Sequence, residues 1–399
     1  MNELQLSIMN RTVGSDNPIQ PILDSFAERH GSSVQLQSYD WAPGRAELIK
    51  AALYHHGPDV SEVGTTWVSD LAGMNALRPF SESEVEQLGP PNTFLPEAWK
   101  TVTVGNAPEV WSIPWLAESL TLHYRKDILR SIGIDEASAF STPAALIETA
   151  QKLRASGYPL PIAVPPRSGH ALILHAAASW VWQAGGDFMS ADGRSVLFDQ
   201  PEGLSGFQSY FHLLRIISPE GLQILDKLGT TECFQRGHAP IAIAGHWLHP
   251  RTAPAGSVPE TNWGVTRLPG LPFVGGSNLV IWKHTRADQS ALALIRTLTG
   301  IEASSNYGDS TGILSARAAG LYSSARQADR FLRTMYESIQ TGRSYPNLPL
   351  WGLVEERLVN AMVKIWDALC SDPDMDVDET VSQTLQKVAR GLNVTLSQR

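Results

Sequence analysis

Leu4-Gln5-Leu6-Ser7-Ile8-Met9 alternates apolar and polar side chains, the two-residue period of a half-buried strand. Asn17-Pro18 then offers a helix cap and a proline for the first turn. Ile19, Ile22, Leu23, Phe26 and Ala27 follow at helical spacing, and Gly31 stops the helix. Val34 and Leu36, with Gln35 and Gln37 facing the other way, open a second strand. A helix is expected from about residue 45 to 54, ending before Gly57-Pro58, and Asp59-Val60 opens a third strand. Strand, helix, strand, helix, strand predicts right-handed crossovers and a mainly parallel sheet. Ligands of such sheets meet the loops beyond the carboxyl ends of the strands, here residues 10–17, 39–44 and 64–67.

Further along, residues 144–156, 170–184 and 203–217 carry helical apolar stripes, with short strands at 162–164 and 241–244. Two amphipathic helices close the chain. Leu358, Val359, Met362, Ile365, Trp366 and Leu369 line one, and Val377, Val381, Leu385, Val388 and Leu392 the other. There is no internal repeat, and no Ser/Gly linker separates two domains, which points to units interleaved in sequence.

Composition removes whole classes. With 43% hydrophobic residues the chain can bury a core, so disorder is excluded. A net charge of −9, without a Lys/Arg-rich run, gives no footprint for nucleic acid. At 399 residues more than one compact unit is expected. No apolar run reaches the roughly 20 residues that span a bilayer. Cys233 and Cys370 make no disulfide framework, and free thiols are the expected state. With no basic n-region at the start, the chain reads as cytoplasmic or as a mature form whose export signal was removed.

Candidate motifs weigh against their plainer readings. Gly308-Asp309-Ser310-Thr311-Gly312 fits G-x-S-x-G, but it follows a helical stretch rather than a strand, so a helix-ending loop is expected. His246 and His249 have no Cys beside them and no H-E-x-x-H frame, so no metal is expected. Asp374, Asp376 and Asp378 lack the Gly and Glu of a calcium loop and suit the start of a helix. No Gly-rich phosphate loop occurs, and no cofactor is expected. The 12 tryptophans, against 11 Phe and 9 Tyr, carry more information. Trp41, Trp67, Trp115, Trp247 and Trp351 fall on expected loops or strand ends, whereas Trp282 and Trp366 sit in periodic apolar contexts and read as core. Indole faces on loops suit stacking on sugar rings or attraction of cations.

The order of segments resembles the bacterial extracellular solute-binding proteins of family 1, the maltose-binding type. Gly57-Pro58-Asp59-Val60, Trp67 and Leu77-Arg78-Pro79-Phe80 come first, then Trp111-Ser112-Ile113-Pro114 and the run Leu122 to Leu129. Gln183-Ala184-Gly185-Gly186-Asp187, Phe234 to Ala239, Ile243-Ala244-Gly245-His246-Trp247, Leu268-Pro269-Gly270 and Gly275-Gly276-Ser277 follow in the family's order. Arg125 stands where Asn is usual and His238 where Lys is common.

The resemblance implies two α/β lobes, each a mainly parallel sheet flanked by helices, joined by a multi-strand hinge. Crossovers are expected near Leu116, Gly275 and Leu314, giving residues 1–116 with 277–313 and residues 117–276 with 314–399. It also implies a monomeric, non-enzymatic receptor that captures a solute, commonly an oligosaccharide, and delivers it to the membrane subunits of an ABC importer. The implied location is periplasmic or extracellular, with a lipid anchor in the full-length form. By motif position, Glu118 matches an acidic residue that contacts ligand hydroxyls in sugar-binding members, and Trp247 an aromatic stacking position. Expected ligand-facing residues are Asn10, Arg11, Asp16, Asp40, Trp41, Thr66, Trp67, Trp115, Glu118, Arg167, His170, Trp247, His249, Gly276, Ser277, Asn278 and Trp351. The alternatives are the same fold with an aromatic cage for a polyamine or quaternary amine, a glycosidase using Glu118, and a sensor feeding a receptor.

Overall fold

The structure, a computed structural model, describes residues 3–11, 17–166, 171–321 and 328–398. Among the described residues there are eleven strands: β1 (Leu4–Met9), β2 (Val34–Tyr39), β3 (Val60–Gly64), β4 (Leu77–Arg78), β5 (Ile113–Ser119), β6 (Thr121–Arg125), β7 (Ile162–Ala163), β8 (Ile241–Ala244), β9 (Trp263–Arg267), β10 (Val274–Trp282) and β11 (Leu314–Ser315). The chain divides into two compact units. One holds Met1–Glu118, Val274–Tyr336 and Ser344–Gly352; the other holds Ser119–Phe273, Glu337–Arg343 and Leu353–Arg399.

The sheet of the first unit has the order β11-β5-β10-β3-β1-β2, with β4 paired to β10. β1 lies between β2 and β3 and runs parallel to both, with Leu6 opposite Leu36 and Val60. β10 returns antiparallel to β3, and β11 antiparallel to β5. The sheet is therefore mixed, and the βαβ units read at the start of the chain supply the parallel pairs β1–β2 and β1–β3. Helix Gln20–His30 begins three residues after Asn17, with proline in its first turn and Gly31 ending it in the left-handed region at φ 65°. The next helix is longer than expected, Trp41–Tyr54, and starts directly after β2 with Asp40 before it. This places Trp41 on a helix rather than a loop.

The second unit carries a four-stranded sheet, β7-β8-β6-β9, in which only β7 and β8 are parallel. Helices Pro143–Ala155, Leu172–Gln183, Pro201–Ile216 and Pro219–Gln235 belong to this unit, as do Val377–Leu396 and the body of Trp351–Ser371. Its core gathers Trp180, Trp263, Trp366 and Tyr210, all fully buried. Asp376 accepts the Glu379 N–H at 2.8 Å as the cap of the last helix, so the Asp374, Asp376 and Asp378 run serves that helix start.

The third expected crossover is displaced. Residues 314–321 and 328–336 stay with the first unit, where β11 pairs with β5 and Arg317 is held. The Arg317 guanidinium donates to the carbonyls of Leu88 and Thr299, at the carboxyl ends of helices Glu82–Leu88 and Asp288–Leu298, and stacks over Phe94. A cation suits those negative helix ends. The G-x-S-x-G stretch lies in helix Ile301–Thr311, where Ser310 Oγ donates to Asn306 O and Gly312 ends the helix at φ 78°. No nucleophile elbow exists there. Cys233 and Cys370 are not joined in a disulfide, and burial pushes the Cys233 thiol up to about 12. Among the described residues no helix is long and apolar enough to cross a membrane.

Candidate functional site

Because β3, β1 and β2 are parallel neighbours, their carboxyl ends at Gly64, Met9 and Tyr39 share one edge of the first sheet. Antiparallel pairing sets Ser277 of β10 opposite Gly64, which brings Ser277 to the same edge. Four chain segments thus deliver Asn10 and Arg11, Asp40 and Trp41, Thr66 and Trp67, and Ser277 to one place.

Trp41 and Trp67 are half-buried and meet edge to face, with centroids 5.4 Å apart and planes at 74°. The segments carrying them are tied by Arg45 and Asp70 at 3.0 Å. Trp67 folds back over Gly64, where a Cβ would lie 3.1 Å from the ring. Asn10 and Asp40 are exposed and joined through Asn10 Nδ2 and Asp40 Oδ1 at 3.4 Å. Beneath them lies a buried ion pair. Arg11 donates from Nη1 to Glu62 Oε2 at 2.9 Å and from Nη2 to Glu62 Oε1, and Met9 N–H donates to Oε2 at 2.7 Å. Trp41 covers the guanidinium, with Cζ 5.3 Å from the ring centroid. Burial alone would lower the Arg11 pKa, but the charge and hydrogen bonds of Glu62 outweigh it and hold the pKa above its ordinary value. Half-buried Glu118 and the Tyr307 hydroxyl stand near enough to act in the same direction.

In the second unit, Gly245-His246-Trp247 leaves the end of β8. Trp247 is half-buried and lies back over Gly245, whose Cβ would approach the ring to 2.5 Å, while His246 meets the ring at 5.3 Å and 79°. Behind this loop, Trp263 Nε1 donates to His123 Nδ1 at 3.0 Å, which leaves the proton on Nε2 for Thr121 Oγ1, also at 3.0 Å. Burial, with His249 nearby, pushes the His123 pKa down to about 3. The unfolded chain takes up this proton near pH 6.5 while the native ring stays neutral. His123 therefore contributes its full stability above pH 6.5 and loses it as pH falls toward 3, by about 1.4 kcal/mol per pH unit. Urea unfolding of wild type and His123→Gln between pH 7.5 and 4 checks this. The variant is expected to show a slope shallower by one proton, and equal slopes refute the assignment.

Several expected ligand contacts take other places. Trp115 lies inside β5 at 1% exposure, donates to Leu298 O at 3.1 Å and stacks on Tyr307 at 5.1 Å. It supports the residue that touches Arg11 and offers no free face. Trp351 is fully buried and stacked on Tyr345 at 4.5 Å. Asn278 is buried and donates to Thr101 Oγ1 at 2.9 Å and Ser112 Oγ at 3.0 Å. Gly276 serves close packing: at φ 128° its Cβ would sit 2.1 Å from Leu116 O. His249 is buried and accepts the Arg251 N–H at 3.1 Å as the cap of a short turn. Asp16, Arg167 and His170 lie outside the described residues.

The edge also holds Glu62 and Tyr307, which sequence reasoning missed. Glu62 had a readable signal, a lone carboxylate in the apolar strand Val60–Gly64, since a buried charge requires a partner. Tyr307 had none, because its helix is remote in sequence. Among the described residues no group of His, Cys, Asp and Glu is arranged to hold a metal.

Comparison of structures shows the fold. An ABC transporter solute-binding protein of Thermotoga lettingae, bound with α-D-tagatose, has a TM-score of 0.83 at 20% identity, covering 99% of this chain and 100% of that one. The sugar-binding protein MalE of Xanthomonas citri has a TM-score of 0.81 at 19% identity, covering 100% and 98%. UgpB of Mycobacterium tuberculosis, in complex with glycerophosphocholine, has a TM-score of 0.77 at 16% identity, covering 98% of both chains. The fold is thus the mixed α/β, two-lobed fold of the periplasmic binding proteins. A search of curated protein sequences gave no match. The sequence pattern of bacterial extracellular solute-binding proteins matches residues 13–304, and the chain belongs to that family.

Proposed function

We propose that this chain is the solute-capturing component of an ABC importer, working outside the cytoplasmic membrane as a monomer, and that its solute is a neutral carbohydrate. The Trp41–Trp67 corner at the strand-end edge carries this reading. It sets two indole rings at nearly a right angle beside Asn10 and Asp40, an amide and a carboxylate open to solvent. Stacking faces plus charge-assisted acceptors are what a sugar ring and its hydroxyls need. Trp247 gives the second unit an aromatic surface of its own. The tagatose-bound and sugar-binding structures of the same fold agree with this reading. Binding and release, with no bond broken, is the activity proposed.

A quaternary amine is the second reading, because Trp41 already stacks on a cation and UgpB of this fold was crystallised in complex with glycerophosphocholine. Thermal unfolding against a panel of saccharides, choline compounds and polyamines separates the two. A ligand present at a hundred times its Kd stabilises by about 2.7 kcal/mol. We expect a saccharide to do so. Stabilisation by a quaternary amine, with none by any saccharide, would overturn the carbohydrate assignment.

A further inference from the structure

An arginine beside two tryptophans at a solute-binding edge ordinarily marks recognition of a carboxylate or phosphate, because the guanidinium fork matches both. In this protein the fork faces inward. Nη1 donates to Glu62 Oε2 at 2.9 Å and Met9 O at 3.3 Å, and Nη2 donates to Glu62 Oε1 and to Ser277 Oγ at 3.5 Å. Nε is enclosed, the Arg11 side chain is 2% exposed and that of Glu62 is 0%. Trp41 covers the group from the side.

We infer that Glu62 is a positioning residue that sets specificity: by taking Arg11 in a two-point ion pair it withholds the cation from the solute, so this edge does not select carboxylates or phosphates. Turning Arg11 toward a solute anion would leave the Glu62 carboxylate buried without a counter-charge, the costliest arrangement of the three groups. The inference rests on the reading that solute meets the Trp41–Trp67 corner.

Phenylglyoxal labelling, read by mass spectrometry on the Arg11 peptide, tests the pair with no solute present. In wild type, Arg11 is expected to react at least about tenfold more slowly than the exposed Arg194. In Glu62→Gln it approaches the Arg194 rate, and inorganic phosphate slows it again. Inorganic phosphate is also expected to raise the melting temperature of Glu62→Gln and leave wild type unchanged. Wild-type Arg11 labelling at the Arg194 rate overturns the inference, as does a folded Glu62→Gln in which Arg11 stays protected. Should Glu62→Gln fail to fold, the wild type decides: a phosphate-induced melting shift that is lost in Arg11→Lys overturns it. Failure of the carbohydrate reading looks different, with Arg11 protected and no saccharide stabilising the protein.

Discussion

Glu62→Ala is expected to lower the unfolding free energy by about 3–5 kcal/mol, the cost of stranding one partner of a buried ion pair. Arg11 cannot relieve the loss by shedding its proton, because guanidinium stays charged at any working pH. Met9 N–H loses its acceptor as well, which adds about 1 kcal/mol. The double variant Arg11→Met, Glu62→Met removes both charges and restores apolar volume, so it is expected to cost much less than the single change. Asp70→Asn is the contrast: the Arg45–Asp70 pair is 31% and 20% exposed, and breaking it should cost no more than about 1 kcal/mol. Urea unfolding at pH 7 measures all three. Equal losses for Glu62→Ala and the double variant would mean that packing, not charge, makes the strand intolerant.

The contrast shows how far the sequence could be read. Period and punctuation located β1, β2 and β3, and adjacency of parallel strands then placed the site loops on one edge, because that step needs only topology. What the period misses is any residue whose partner is distant in sequence. Arg11 was expected to face solute because it follows a strand end. It faces Glu62 instead, because that strand carries a charge requiring a counter-ion. The antiparallel pairings of β10 and β11 escaped notice for the same reason, since local alternation does not report which strand lies alongside. Helix Trp41–Tyr54 starts four residues before the expected residue 45, because proline, here Pro43, is tolerated in a first turn. The long closing helices were plain, their apolar stripes filling one face for five turns or more.

Tryptophans divide most sharply, and their replacement should divide with them. Trp115→Ala and Trp351→Ala are each expected to cost about 3–5 kcal/mol of stability, the range for emptying a large buried side chain. Trp115→Ala also loses the Nε1 bond to Leu298 O and the stacking on Tyr307. Trp67→Ala and Trp247→Ala remove half-buried rings resting on Gly64 and Gly245, so less apolar area returns to water and smaller losses are expected. Their effect should fall on binding instead, about 1–3 kcal/mol each, or roughly 5- to 150-fold in affinity for the stabilising saccharide. Sequence context could not separate the two pairs, because all four residues read as loop or strand-end positions. The deciding variable is what lies against the ring: Tyr307 and Tyr345 stack on the fully buried pair, whereas the other pair rests on glycine backbone and stays half-buried. Isothermal titration combined with urea unfolding on the four variants measures both quantities. If Trp67→Ala and Trp247→Ala both bind saccharide as wild type does, stacking on these rings is not how the solute is held.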